Sequence, residues 1–299
     1  MTDIIMSENI IEIKNLSKKY PSSGFKLDDI NLSLPRGTIM GLVGENGAGK
    51  TTLIKLTLNQ INKDEGEVTI FGRDPINHEI EIKDNIGVVF SENHFSEDFT
   101  PCIIERIMRN VYSSWDENCY YNYLEIFKVN RHLKIKELSQ GMKMIINLAV
   151  ALSHDADLLI LDEATTGLDP IARKQVHDLL NDYICDGKKS ILFSTNITSD
   201  LDRIADFITF IKDGKIILSE IKDSLCENYG LLKAAHNDLI KIPEELILGI
   251  KKNKFSTEAL IRNKAEVKSA YPDFVIEKIT VEDIMFYMKG EYNESTAGS

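Results

Sequence analysis

The chain has 299 residues, of which 43% are hydrophobic and 8% aromatic, enough for one large domain with an appendage or for two modest domains, and against wholesale disorder. The net charge of −12 argues against a nucleic-acid partner, because phosphate contacts need clustered Lys and Arg. Four widely spaced cysteines (Cys102, Cys119, Cys185 and Cys226), with no Cys-x-x-Cys pair, read as reduced thiols and not as a zinc site.

The N-terminus, Met1 to Ile10, carries Asp3 and Glu8 and no basic run, so it does not read as a signal peptide. The longest apolar stretch, Ile145 to Leu152, is far too short to cross a bilayer. A cytosolic chain is expected, and any membrane role would need a second chain that spans the membrane.

In chain order, Phe25, Leu27, Ile30, Leu32 and Leu34 alternate with polar residues before Pro35, which predicts antiparallel sheet. Thr38 to Val43 is a nearly continuous apolar run, the pattern of a strand covered on both faces. A Gly-rich turn follows, then a helix over Lys50 to Gln60. Gly66 to Gly72 and Ile86 to Phe90 read as strands. From Thr100 the pattern turns helical as far as Leu138. Thr100 is the expected N-cap with Pro101 first in the helix, and Ile103, Ile104, Ile107 and Val111 are placed on one apolar face. Trp115, Tyr120, Tyr121, Tyr123 and Phe127 are assigned to the core of this part.

Alternation of strand and helix then resumes. Met142 to Ser153 and Ile171 to Ile184 read as helices. Leu158 to Leu161, Ser190 to Ser194, Asp206 to Ile211 and Lys215 to Leu218 read as strands. Such alternation implies a parallel sheet with helices on its faces. After Glu227 the periodicity weakens. Asp238 to Ile242 and Phe274 to Ile279 are candidate strands. Thr280 to Asp283 resembles a capping box, opening a last helix whose apolar face is Ile284, Met285 and Met288. The division expected is a main domain over 1–226 with a helical insert at about 95–140, a small accessory domain over 227–290 and a disordered tail over 291–299.

Gly44-Glu45-Asn46-Gly47-Ala48-Gly49-Lys50-Thr51 matches G-x-x-x-x-G-K-[ST]. Glycines let the backbone wrap phosphate oxygens with N–H groups pointing inward, and the following helix adds its positive end. Lys50 supplies a point charge for the β- and γ-phosphates, and the Thr51 hydroxyl suits Mg²⁺. The pattern arises by chance in roughly one chain in a hundred of this length. Its position between an apolar strand and a helix disfavours an ordinary Gly-rich turn. Gly44, Asn46, Gly47, Gly49, Lys50, Thr51 and Thr52 are therefore the expected nucleotide contacts. A second centre is Leu158 to Glu163, an apolar strand that ends in two acids. In a parallel sheet that end faces the ligand crevice. Asp162 is the expected metal residue beside Thr51, and Glu163 is placed to polarise an attacking water.

With these motifs in order, residues 10–226 closely resemble the nucleotide-binding subunits of ABC transporters. Leu138-Ser139-Gln140-Gly141-Met142 is similar to the family signature, and Ala164 to Asp169 to its D-loop. The resemblance implies an α/β fold, with a P-loop NTPase (RecA-like) parallel-sheet core, an antiparallel β subdomain, the helical insert and a small C-terminal accessory domain. It also implies that Ser139 and Gly141 cap ATP bound to an opposite ATP-binding subunit, of the same or a different chain, with Asp169 bridging to it. Tyr20 is similar in position to the aromatic residue that stacks on adenine, with Phe25 its competitor. Two positions depart from the family pattern: Asn196 stands where a His is usual and Ser91 where a Gln is usual, with Glu92 next to it. An Asn amide donates a hydrogen bond but exchanges no proton near neutral pH. The implied function is Mg²⁺-dependent ATP hydrolysis beneath an integral membrane subunit, on the inner face of the membrane, slowed by these two departures. The pattern resembles Gram-positive export systems with separate ATPase and membrane chains, which makes peptide, antibiotic or lipid-like cargo the expectation. The alternative is an ATP-gated regulatory subunit whose partner hydrolyses. A soluble ATPase acting on ribosomes or nucleic acid is disfavoured by the single motif set and the acidic charge.

Overall fold

The structure, a computed structural model, describes residues 9–22, 24–234, 239, 241–252, 257–288 and 292–293. In chain order its elements are β1 (Asn9–Lys19), β2 (Lys26–Pro35), β3 (Ile39–Val43), α1 (Lys50–Thr57), β4 (Glu65–Ile70), α2 (Glu79–Asp84), β5 (Ile86–Val89), α3 (Pro101–Met108), α4 (Glu117–Ile126) and α5 (Gln140–Leu152). There follow β6 (Leu158–Asp162), α6 (Pro170–Tyr183), β7 (Ser190–Thr195), α7 (Thr198–Ile204), β8 (Phe207–Lys212), β9 (Lys215–Ile221), α8 (Lys222–Asn228) and β10 (Gly230–Ala234). The last are β11 (Ile247–Lys252), β12 (Thr257–Ile261), α9 (Lys264–Ala270), β13 (Val275–Glu277), α10 (Val281–Tyr287) and β14 (Tyr292–Asn293).

The central sheet has the order β5-β6-β7-β3-β8-β9, parallel from β5 to β8, with β9 antiparallel at the edge. Every residue of β3, β6 and β7 is buried, which is why these strands read as unbroken apolar runs. One face packs on the helical insert, α5, α6 and α7 through Tyr120, Ile146, Leu161 and Phe193. The other packs on α1 and on a second sheet, β2-β1-β4, through Ile11, Leu27, Leu53 and Ile160. That sheet is antiparallel, and its alternating buried residues Leu27, Ile30, Leu32 and Leu34 produce the pattern read from the sequence.

The topology collects chemistry at the carboxyl end of the central sheet. β5, β6, β7 and β3 are neighbours, and their carboxyl ends run into Ser91, Glu163, Asn196 and Gly44. The register pairs Val43 with Thr195 and Asp162 with Ser194.

Some expectations are corrected. The first helix stops at Thr57, short of Gln60, because Asn59 takes a left-handed conformation (φ 53°) that closes the helix end. Of the face Ile103, Ile104, Ile107 and Val111, only Ile104 is buried. The helix ends at Met108, and Val111 is 60% exposed. Of Asp238 to Ile242, Asp238 and Ile240 lie outside the described residues, and Lys241 and Ile242 form a turn, not a strand. Of the tail, Tyr292 and Asn293 form β14, parallel to β11, and 291 and 294–299 lie outside the described residues.

The C-terminal part is a five-stranded sheet, β13-β10-β12-β11-β14, with its own cluster of Leu232, Leu246, Ala259, Ile261 and Val267. Its final helix α10 opens on the expected capping box between Thr280 and Asp283. Ile284 of that helix is buried, and Met285 and Met288 are half-buried.

Candidate nucleotide site

The Gly44–Thr51 loop joins β3 to α1 as the sequence implies. A side chain at Gly44 would put its Cβ 2.3 Å from the Ile211 carbonyl oxygen, so only glycine lets β8 back the loop so closely. Gly49 sits at φ 114°, where L-residues are strained, immediately before the helix begins. Lys50 is 6% exposed. Its Nζ donates to the carbonyls of Gly44 (2.8 Å) and Glu45 (3.2 Å), and lies 3.8 Å from Glu163 Oε1. Burial pulls the Lys50 ammonium below its ordinary value, and the Glu163 and Asp162 charges partly restore it.

Thr51 Oγ1 donates to Asp162 Oδ2 at 2.6 Å, which ties the phosphate loop to the end of β6. Asp162 is 1% exposed, and its other oxygen, Oδ1, has no hydrogen-bond partner. A buried carboxylate oxygen left bare is costly, and a divalent cation would satisfy it. With the Thr51 hydroxyl alongside, the donor set is hard oxygen, which fits Mg²⁺.

Glu163 follows at φ 57°, in the left-handed region. Its main-chain N–H donates to the Ser194 carbonyl at 2.8 Å, and its Oε2 accepts from Thr166 Oγ1 and from the Asn196 main-chain N–H, both at 3.3 Å. Burial raises the Glu163 carboxyl above its ordinary value, and Lys50 opposes that rise. A carboxylate so placed suits a general base.

A cavity of about 640 Å³ opens over the loop, within the size range of small-ligand sites. Asn46, Gly47, Gly49, Lys50, Thr51, Thr52 and Glu163 line it, and both Tyr20 and Phe25 stand at its rim. The two rings lie 6.3 Å apart at 36°, so both aromatic candidates reach the cavity. A second cavity of about 380 Å³ meets the first at Thr51 and brings Asp162 beside Ser91, Glu92 and His94. Asn196 lines neither cavity; its contact with Glu163 is made by main chain, which a residue-type motif does not register. Ser139 and Gly141 also line neither. Ser139 caps α5, accepting from the Met142 N–H at 3.2 Å, and a Cβ on Gly141 would lie 3.0 Å from the Gly167 carbonyl oxygen. Asp169 caps α6, accepting from the N–H groups of Ile171 (2.9 Å) and Ala172 (3.0 Å). Sequence reasoning missed Gln60 and His94, whose types carry no motif and whose place depends on loop paths, and gave Thr166, within the D-loop stretch, no role of its own.

The family model described as ABC transporter matches residues 27–166. A bacitracin transport ATP-binding protein of Bacillus licheniformis is 32% identical over 210 residues, covering 70% of this chain and 68% of that protein. An ABC transporter ATP-binding protein of Bacillus subtilis is 30% identical over 226 residues, covering 76% and 77%. A lantibiotic transport ATP-binding protein of Streptococcus pyogenes is 29% identical over 216 residues, covering 72% and 92%. A solved structure of an ATP-binding subunit of an ABC transporter superposes with a TM-score of 0.66 at 24% identity, over 73% of this chain and 92% of that one, and shows the shared fold. Among the described residues no helix is long and apolar enough to cross a membrane. The chain belongs to the ABC transporter family, among its ATP-binding chains.

Proposed function

We propose that the chain hydrolyses ATP at the Gly44–Thr51 loop and that this hydrolysis drives export through a separate membrane chain. The observation that carries the reading is the convergence of Lys50, Thr51 and Glu163 on one cavity, with Asp162 hydrogen-bonded to Thr51, where the second cavity meets it. Lys50 and the loop N–H groups hold the phosphates. Thr51 and Asp162 hold Mg²⁺, which supplies charge neutralisation on the phosphate oxygens when bound. Glu163 accepts the proton of the attacking water, and the main chain of Asn196 fixes its orientation. Tyr20, with Phe25 beside it, offers the base a ring to stack on. Ser139 and Gly141 lie away from the cavity of their own chain, which supports their acting on a second ATP-binding subunit. ATP binding to the closed pair then shifts the open–closed equilibrium by its differential affinity.

The membrane chain is assigned to the groove of about 850 Å³ between α3 and the sheet, where Ile80, Ile86 and Val111 lie beside the charged Lys83, Asp84 and Arg109. Ile80 is 87% exposed there. The relatives named for bacitracin and lantibiotic transport support a peptide antibiotic or lipid-like cargo. They lend no support to a purely regulatory, non-hydrolysing role. The test is transport itself. Inside-out vesicles holding the chain with its membrane partner should take up a labelled peptide antibiotic only with ATP and Mg²⁺. Vesicles with Lys50→Ala should not; uptake equal to wild type would overturn the reading.

A further inference from the structure

Outside the nucleotide contacts, the described residues contain one fully buried polar cluster that joins three elements around Glu163. Thr165, two residues after Glu163, is 0% exposed, and its Oγ1 donates to Asp200 Oδ2 at 2.6 Å. Asp200 is itself buried, on α7. Its other oxygen lies 3.1 Å from Nε2 of buried His177 on α6, a close polar contact without the alignment of a hydrogen bond. A carboxylate in the first turn of a helix is ordinary when it faces water, where it answers the helix dipole. One removed from water and aimed at a neighbouring loop is not explained that way, because its desolvation has to be offset by specific partners.

We infer that Asp200 is a positioning residue for hydrolysis: through Thr165 it latches the loop that carries Glu163 onto α7. The inference rests on the reading of Glu163 as the base. Glu163 needs such a hold. Its left-handed main chain is a conformation that persists in a non-glycine residue only when the surroundings enforce it. The enforcement comes from both sides. Upstream, the Glu163 N–H is held by Ser194 of β7. Downstream, the Thr166 N–H donates to the Glu163 carbonyl (3.1 Å), the Leu168 N–H to the Thr165 carbonyl (3.2 Å), and the Thr165 side chain to Asp200. Asp200 also stands four residues after Asn196, whose N–H holds Glu163 Oε2. The segment from Asn196 to Asp200 therefore grips the base at its carboxylate and at its loop. Cutting the second grip leaves Glu163 chemically intact but loosely aimed.

The test is Thr165→Val, which keeps the shape and removes the hydroxyl, beside Thr165→Ser, which keeps the hydroxyl. Thr165→Val is expected to lower kcat for ATP about tenfold or more while KM for ATP stays within about twofold, since displacements near 1 Å cost up to ~100-fold in rate. Thr165→Ser should return kcat to within about twofold of wild type. A Thr165→Val kcat within twofold of wild type, a Thr165→Ser variant as slow as Thr165→Val, or a parallel loss of ATP affinity would each overturn the inference. Should Thr165→Val fail to fold, Asp200→Asn keeps an acceptor for Thr165 without a buried charge. Asp200→Asn/Thr165→Val should then be about tenfold slower than Asp200→Asn alone, and equal rates would overturn the latch. A Glu163→Gln control separates the two claims. Turnover that survives it refutes the base assignment, whereas turnover lost in it but unchanged in Thr165→Val refutes only the latch.

Discussion

Lys50 and Glu163 face each other at 3.8 Å, and burial opposes the charge on both, lowering the ammonium and raising the carboxyl. The sign of the carboxyl shift sets a pH dependence. Glu163 accepts the water's proton only when ionised, so kcat falls as pH falls through its titration. That fall should come above the ordinary glutamate value of about 4.3. A kcat–pH profile that stays flat down to that value contradicts the assignment. At this scale most of the candidate site rests on patterns the sequence carries. Gly44, Lys50, Thr51, Asp162 and Glu163 belong to spaced patterns whose geometry is dictated by phosphate and metal chemistry. Asn196 was read as a side chain in a catalytic position, whereas its observed contact with Glu163 is through the main chain. Thr165 and Asp200, 35 residues apart, form a pair that only the fold brings together.

Among the elements, the caps were legible because they are local. Thr100 and Thr280 each precede their helix and accept from its first N–H groups. Thr100→Ala should destabilise the chain by about 1 kcal/mol, read from denaturant unfolding, with no change in the KM for ATP. A loss indistinguishable from zero would mean that the α3 N-terminus is held by other contacts. The apolar face of α3 was misjudged because helical periodicity does not say what covers a face. Ile103 and Ile107 are about a third exposed, while Ile104 meets the core. Helix α7 was missed, since its seven residues are too few for a clear period and it lies directly after β7.

Across the whole molecule, the C-terminal sheet is joined to the nucleotide-binding part and not merely tethered to it. Leu231, Leu260, Val281, Ile284 and Tyr287 belong to the same buried cluster as Phe193 and Leu201. The Val281 N–H donates to Asp202 Oδ1 on α7 (3.1 Å), and Lys212 Nζ donates to the Met288 carbonyl (3.1 Å), at the end of the strand that backs the phosphate loop. The weakening periodicity after Glu227 suggests a boundary there. The shared core gives no such sign, because long-range packing leaves no local pattern. We therefore propose that the two parts unfold together. Ile284→Ala should cost about 2–5 kcal/mol and lower the single Tm followed by both ATP binding and the signal of the C-terminal sheet. Two separate transitions would show independent domains. Steady-state phosphate release from the purified protein with ATP and Mg²⁺, wild type against Glu163→Gln, decides whether this chain carries a working hydrolytic site of its own. Turnover is expected in the wild type, with a loss of about 100-fold or more in the variant while ATP still binds. Turnover that the substitution leaves unchanged would contradict such a site.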